Sequence, residues 1–259
     1  THRRSSAASD VYKRQYKCIT TKKDLKKVIK EASKSDTVAI DTETTGLDYI
    51  DSELVGISIS FNAGEGFYIP IKHNDESIIQ LPLEDVINEL KPLLENSEKK
   101  IIGQNIKFDK NILMKYGLKI ASIKNDTMMM SYVLDASATR HNLDALASYY
   151  LGYKTSTYED VAGKGAKQIS FDDVPIDIAT NYAAEDADIT LRLYEELSPK
   201  LKNIESLNKL NEEIEIPLIE VLSDMERNGA ILNAKVLNAQ SKDLEERIIR
   251  LENLSLIHI

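Results

Sequence analysis

The stretch Val38-Ala39-Ile40-Asp41-Thr42-Glu43-Thr44-Thr45-Gly46-Leu47 decides how this chain is read. It opens as an apolar strand and ends in two carboxylates one residue apart. Residues i and i+2 of a strand point to the same face, so Asp41 and Glu43 project together. Like charges that close repel unless a cation lies between them. Hard divalent ions take oxygen ligands of this kind. The pair therefore points to a metal site that draws further carboxylates from elsewhere in the chain. The alternative is a solvated strand end before a Gly turn.

Working outward, Thr21 to Ser33 places Leu25, Val28 and Ile29 at helical spacing, with Thr21 and Asp24 as a helix start. The first strand spans about Thr37 to Thr42. Leu54 to Phe61 and Phe67 to Ile71 are strands separated by the Gly64-Glu65-Gly66 turn, which predicts an antiparallel meander. Leu83 to Leu94 is an amphipathic helix with Pro82 near its start. Lys100 to Gly103 is a short buried strand, and Asn105 to Tyr116 a helix ended by Gly117. Helices follow over Asp126 to Leu134, Asn142 to Leu151 and Ile176 to Leu197. Lys154 to Val174 is a polar loop. Two helical stretches around Asn228-Gly229 complete the chain, after a domain boundary near Pro199 to Glu205. The pattern is an α/β layer fold with a mixed central sheet flanked by helices, followed by helices that begin a second domain.

The 259 residues carry a net charge of −9, which argues against a broad nucleic-acid-coating surface but allows a nuclease whose acids hold metal. No apolar run approaches membrane-spanning length and no signal peptide precedes the first strand. Cys18 is the single cysteine, so no internal disulfide forms, in keeping with a reducing, cytoplasmic compartment. Both ends look foreign. Asp10 to Gln15 and Leu254 to Ile259 translate complementary strands of one transposase-type sequencing adapter. Residues 1–15 are therefore expected to be adapter-derived and disordered, and 254–259 adapter-derived. The natural part is then an internal fragment. Removing Thr1 to Gln15 takes away four basic residues and one acid, leaving a charge of −12.

Two further positions supply candidate carboxylates. Asp109 in Ile101-Ile102-Gly103-Gln104-Asn105-Ile106-Lys107-Phe108-Asp109 lies one turn into a helix after a buried strand. It could face a cleft, or it could be a first-turn acid complementing the helix dipole. Asp186 in Asn181-Tyr182-Ala183-Ala184-Glu185-Asp186-Ala187-Asp188 shares a helix face with Tyr182, four residues earlier. A phenol beside a metal-binding carboxylate can orient water. The other reading is a core tyrosine with a solvated acidic face. Glu185 and Asp188 are expected on that solvated face, and small Ala183, Ala184 and Ala187 would let the helix lie close to the sheet.

Asp-x-Glu on a strand, Asp on a second element and Tyr-x-x-x-Asp on a late helix together resemble the DEDD exonuclease superfamily, in its Tyr-containing branch. The strings DTETTGL, IIGQNIKFDKNIL, GKGAKQISF and NYAAEDADITLRLY are similar to the 3′→5′ proofreading domain of bacterial family A DNA polymerases. IEIPLIEVLSDMERNGAILN resembles the opening of that family's polymerase domain. The resemblance implies a ribonuclease H-like fold, with the exonuclease domain at 16–204 and truncated polymerase helices at 205–253. By that resemblance, Asp41, Glu43 and Asp186 hold one divalent metal. Asp41 helps hold a second, with Asp109 acting through its water shell, so that two ions (Mg²⁺ or Mn²⁺, or Zn²⁺) assist hydrolysis. Tyr182 and Glu43 position the attacking water. Leu47 wedges against the terminal bases and Thr42 contacts the 3′ nucleotide. Gln104, Asn105 and Phe108 line the strand groove, Phe108 standing where Tyr is often found. Arg140 and Lys164 are candidate phosphate contacts. His141 is assigned to packing or surface, since hard cations call for oxygens, and Met128-Met129-Met130 to helix core. The implied partner is the single-stranded 3′ end of a DNA primer, bound by a monomer. A ribonuclease D-like RNA exonuclease and a non-catalytic DNA-end-binding module are the competing readings.

Overall fold

The period-two alternation that pairs Asp41 with Glu43 also sorts the core. In the computed structural model, which describes residues 15–75 and 77–258, Val38 and Ile40 join one apolar cluster while Ala39 joins Ile102 and Leu191 on the opposite face. The strand carrying them is β2, Thr37–Thr44. Around it are β1 (Gln15–Cys18), β3 (Leu54–Ser60), β4 (Glu65–Pro70), β5 (Lys100–Gly103) and β6 (Ile123–Asp126). They form a mixed sheet in the order β1-β4-β3-β2-β5-β6. The expected meander is present: β2, β3 and β4 pair antiparallel. β1 and β6, which sequence patterning did not identify, pair in parallel on β4 and β5. Gln15, at the edge of the expected adapter segment, opens β1 opposite Glu65; residues 1–14 lie outside the described residues.

One face of the sheet is covered by α1 (Lys22–Ala32), α2 (Leu83–Leu94) and α3 (Ile106–Lys115). Their Leu25, Val28, Val86, Leu90, Ile106 and Ile112 pack on Val38, Ile40, Ile57, Ile59 and Ile101. Thr21 caps α1 as expected, its side chain accepting from Asp24 N. The other face carries α4 (Thr127–Leu134), α5 (Leu143–Leu146, continued by a π-helical turn to Leu151), α6 (Tyr158–Ala162) and the long α7 (Ile176–Lys202). The segment read as a polar loop thus contains α6 and two 3₁₀ turns. Asp126 is buried and serves two helices at once. Its carboxylate accepts from Ile106 N (2.8 Å) and Asn105 N (3.1 Å) at the start of α3, and from Met128 N (2.9 Å) at the start of α4.

Small residues set the height of α7 above the sheet. Ala183, Ala184 and Ala187 are fully buried. A Cβ added at Gly66 would lie 2.3 Å from the Ala184 carbonyl oxygen. Gly66→Ala is therefore expected to cost about 1–3 kcal/mol through overpacking against backbone, read as a melting temperature lowered by several degrees. An unchanged melting temperature would mean that α7 can lift without loss.

Glu185 and Asp188 are not on a solvated face. Both are buried, because each has polar partners from elements that the sheet brings to α7. Asp188 accepts from Tyr16 Oη (2.9 Å) and Gly64 N (2.6 Å). Glu185 accepts from Tyr153 Oη and from Ser156 N (2.7 Å).

The chain divides into two compact units, residues 1–223 and 224–259. The first continues past Pro199 to Glu205, through α8 (Glu205–Leu210), into α9 (Ile216–Asn228). Ile219 joins the core of this unit. Asn211 Nδ2 donates to Asn125 Oδ1 (2.6 Å), and Lys110 Nζ meets Glu220 Oε1 (3.1 Å) and Ser223 Oγ (3.1 Å). In the second unit, α10 (Ala234–His258) exposes Leu244, Ile248, Ile249 and Leu251. Among the described residues, no helix is long and apolar enough to cross a membrane.

Candidate active site

β2 aims Asp41 and Glu43 at α7, which presents Asp186 one turn after Tyr182. One carboxylate oxygen from each of Asp41, Glu43 and Asp186 lies within 4.8 Å of the other two. All three donors are hard oxygens, the set that suits divalent ions of the Mg²⁺ class. Asp109, on α3, stands outside this three-acid cluster but is tied to β2. Its Oδ1 accepts from Thr42 N (2.8 Å) and Thr42 Oγ1 (2.6 Å), which fixes the carboxylate's orientation.

The electrostatics are those of a site built for cations. Burial pushes Asp41 up to about 6. Burial raises Glu43 well above the ordinary carboxylate range, and the charges of Asp41, Asp186 and Asp109 raise it further. Asp109 is raised by burial and then by Asp41, against the lowering effect of its Thr42 bonds. Asp186 is raised by burial, Asp41, Glu185 and Asp144, and is lowered by its hydrogen bond with Tyr182. Tyr182 itself is raised, first by burial and then by Asp186 and Glu43, so it is a neutral phenol. Four acids that resist joint ionisation in one basin are what a bound divalent charge would relieve.

Thr42, expected at the 3′ nucleotide, is buried with its hydroxyl committed to Asp109. Thr42→Val keeps the backbone bond and removes the hydroxyl. It is expected to lower metal-dependent turnover about 10–100-fold, the usual effect of losing a partner that orients a ligand. The rise in half-saturating metal measures it, and an unaltered metal requirement would show that the backbone bond suffices.

The rim is more varied. Leu47 stands 95% exposed just past β2. Asn105 is exposed and has a left-handed backbone, φ 60°. Phe108 is half-buried against the core. Gln104 is engaged by the protein: its Nε2 donates to the His141 carbonyl (2.9 Å) and its Oε1 accepts from Thr127 Oγ1 (2.5 Å). His141 is buried as a packing residue, hydrogen-bonded to Ser131 Oγ and the Ala136 carbonyl. Arg140 is exposed on the same loop, and exposed Lys164 pairs with Glu159 at 2.9 Å. Sequence reasoning missed Phe171, which is fully buried against Tyr182 with ring centroids 5.8 Å apart. Its only signal was its place at the end of GKGAKQISF.

A strand-borne Asp-x-Glu, a helix-borne Asp and a tyrosine-flanked Asp on the covering helix define the acidic centre of a metal-dependent nuclease. A family model described as 3′-5′ exonuclease matches residues 16–202, and the chain belongs to that family, as the exonuclease domain of DNA polymerase I-type proteins. DNA polymerase I of Pseudomonas aeruginosa is 45% identical over 227 residues, covering 86% of this chain and 25% of that protein. DNA polymerase I of Borreliella burgdorferi is 39% identical, covering 92% of this chain and 25% of that protein. The chain thus spans about a quarter of the length of these relatives. Among solved structures, the POL domain of Pol1 from M. smegmatis, in complex with DNA primer-template and dNTP, superposes with TM-score 0.69 at 20% identity. That match covers 90% of this chain and 36% of the other. Brucella melitensis NrnC superposes with TM-score 0.59 at 23% identity over 77% of this chain and 88% of the other. Both share the ribonuclease H-like fold.

Proposed function

We propose that the chain removes nucleotides from the single-stranded 3′ end of a DNA primer, as the proofreading part of a DNA polymerase I. The observation that carries this is the Asp41–Glu43–Asp186 cluster with Tyr182 one helical turn before Asp186 on α7. Asp41, Glu43 and Asp186 would hold one divalent ion, and Asp41 with Asp109 a second through its hydration. Mg²⁺ or Mn²⁺ fits the all-oxygen donor set, with Zn²⁺ also admitted. Bound there, the ions supply charge stabilisation to the attacking and leaving oxygens of the phosphodiester. Glu43 and Tyr182 orient the attacking water. Leu47 wedges at the terminal bases, with Asn105, Phe108, Arg140 and Lys164 along the strand. Gln104 acts there by holding the Arg140 loop through the His141 carbonyl. Residues 16–204 form the catalytic domain, and 205–253 open the polymerase part. The protein works as a monomer in the cytoplasm.

A mismatched end frays and supplies the single strand that a paired end withholds. The relatives' sequences favour DNA over the ribonuclease D-like reading, and the complete acid set favours catalysis over mere end binding. The test is a 5′-labelled DNA or RNA strand with Mg²⁺ or Mn²⁺. Stepwise loss from the 3′ end of DNA is expected, and a strong preference for RNA would overturn the substrate. Leu47→Ala is expected to leave the melting temperature unchanged, since the side chain is exposed. Excision from a duplex end should fall about tenfold relative to a single strand, in line with the loss of one apolar contact at the terminal bases. Equal loss on both substrates would remove Leu47 from a wedge role.

A further inference from the structure

β4 is followed by Ile71 to Leu81, a segment without helix or strand among its described residues. Its His73 is buried and touches three parts of the fold. Nδ1 lies 3.0 Å from the Val174 carbonyl, just before α7. A carbonyl can only accept, so Nδ1 carries the proton. Nε2 lies 2.7 Å from Tyr68 Oη and accepts from the phenol. The imidazole also packs on Phe171 (centroids 5.8 Å), which in turn packs on Tyr182 (5.8 Å). Burial lowers the His73 pKa, so the ring is neutral at pH 7 and keeps this tautomer.

Tyr68 is fully buried on the sheet face that carries the acids: Tyr68 pairs with Ser58, and Ser58 with Asp41. Gly56, directly opposite Glu43, makes room for it. A Cβ at Gly56 would fall 2.1 Å from Tyr68 Oη. The segment is held from other directions too. Gln80 clasps the His73 backbone, accepting from its N and donating to its O at 2.8 Å each. Asn74 N donates to the Asp172 carbonyl (2.8 Å), and Asn74 Nδ2 to Asp173 Oδ1 (2.7 Å).

We propose that Tyr68 and His73 form a positioning pair that sets the distance between the sheet side of the site, Glu43, and its helix side, Tyr182. The proposal rests on the exonuclease reading above. One imidazole binds the phenol lying beside Glu43 and the carbonyl that leads into α7, and it buttresses the ring behind Tyr182. Neither residue touches substrate; each acts through the groups it holds.

The test uses the full chain with Tyr68→Phe, His73→Gln and the double variant. Each single variant is expected to lower kcat for single-strand excision about tenfold with KM within about twofold, the scale of losing a group that orients a catalytic one. The double variant is expected to be no worse than the weaker single, since the two act as one unit. Mn²⁺ titration by calorimetry reads the same spacing without turnover, and affinity should fall about threefold or more. Losses that multiply in the double variant, or a lower melting temperature with kcat and Mn²⁺ affinity intact, would overturn the pair. If the wild-type chain shortens no strand, the exonuclease reading fails. The Mn²⁺ titration then decides the pair by itself, an unchanged affinity in the variants counting against it.

Discussion

Asp41→Ala is expected to lower the excision rate at least about a thousandfold while the chain stays folded. Asp41 is the one acid whose charge acts on all three others, appearing among the causes that raise Glu43, Asp109 and Asp186. In the proposed arrangement it is the carboxylate common to both ion positions. Losing it leaves charge poorly neutralised at the attacking and leaving oxygens, a loss of several kcal/mol of transition-state stabilisation. The fold should tolerate the change, because β2 is held by its pairing with β3 and β5 and by Val38 and Ile40 on the other face. Labelled strand resolved by length over time, at saturating metal, measures the rate. A variant that shortens DNA at more than about a tenth of the wild-type rate would remove Asp41 from the metal site. A variant that is inactive and also unfolded by circular dichroism would leave Asp41→Asn, which keeps the shape, to decide.

Local periodicity paired the side chains of this site but left a solvated strand end and a core tyrosine open; the resemblance to the DEDD exonucleases joined the pairs into one site. Asp41 and Glu43 follow from the two-residue repeat of a strand, and Tyr182 with Asp186 from the four-residue repeat of a helix. The bond between Thr42 and Asp109 spans 67 residues and depends on α3 crossing beside β2, which no spacing encodes. Glu185 and Asp188 were read as solvated since acids usually are. Their partners Ser156, Gly64 and Tyr16 lie 29, 124 and 172 residues away. β1 and β6 have four residues each and, unlike the equally short β5 with Ile101 and Ile102, carry no run of buried apolar residues. Pro199 sits in the last turn of α7, where the expected boundary region begins. Contacts of Asn211 and Ile219 with the sheet-bearing unit carry that unit on to Ser223.

The same acids that would hold metal should make the metal-free protein sensitive to rising pH. Asp41 has a pKa of about 6 in the fold against 3.8 in an unfolded chain. The folded state thus binds its proton more tightly. Its stabilising contribution is complete below about 3.8, declines as pH climbs, and is lost above about 6. Glu43, Asp109 and Asp186 shift in the same direction. Above pH 6 the basin holds charges that only a cation can offset. Asp41→Asn removes one of them. At pH 7.5 without metal, this variant is expected to be more stable than wild type by on the order of 3 kcal/mol, seen as a melting temperature several degrees higher. At pH 4 the advantage should vanish. Adding Mn²⁺ should reverse the order, since a ligand at about a thousand times its Kd adds about 4.1 kcal/mol to a protein that binds it, and the variant has lost a ligand. Thermal melts at the two pH values, each with chelator and with Mn²⁺, check all four conditions. A variant less stable than wild type at pH 7.5 in chelator would mean that Asp41 is held by hydrogen bonds that favour its charge. The acids would then be structural, and the metal reading would lose its electrostatic support. The expected reversal instead marks a site where stability is given up for binding, with Asp41 charged at working pH because an ion is there to meet it.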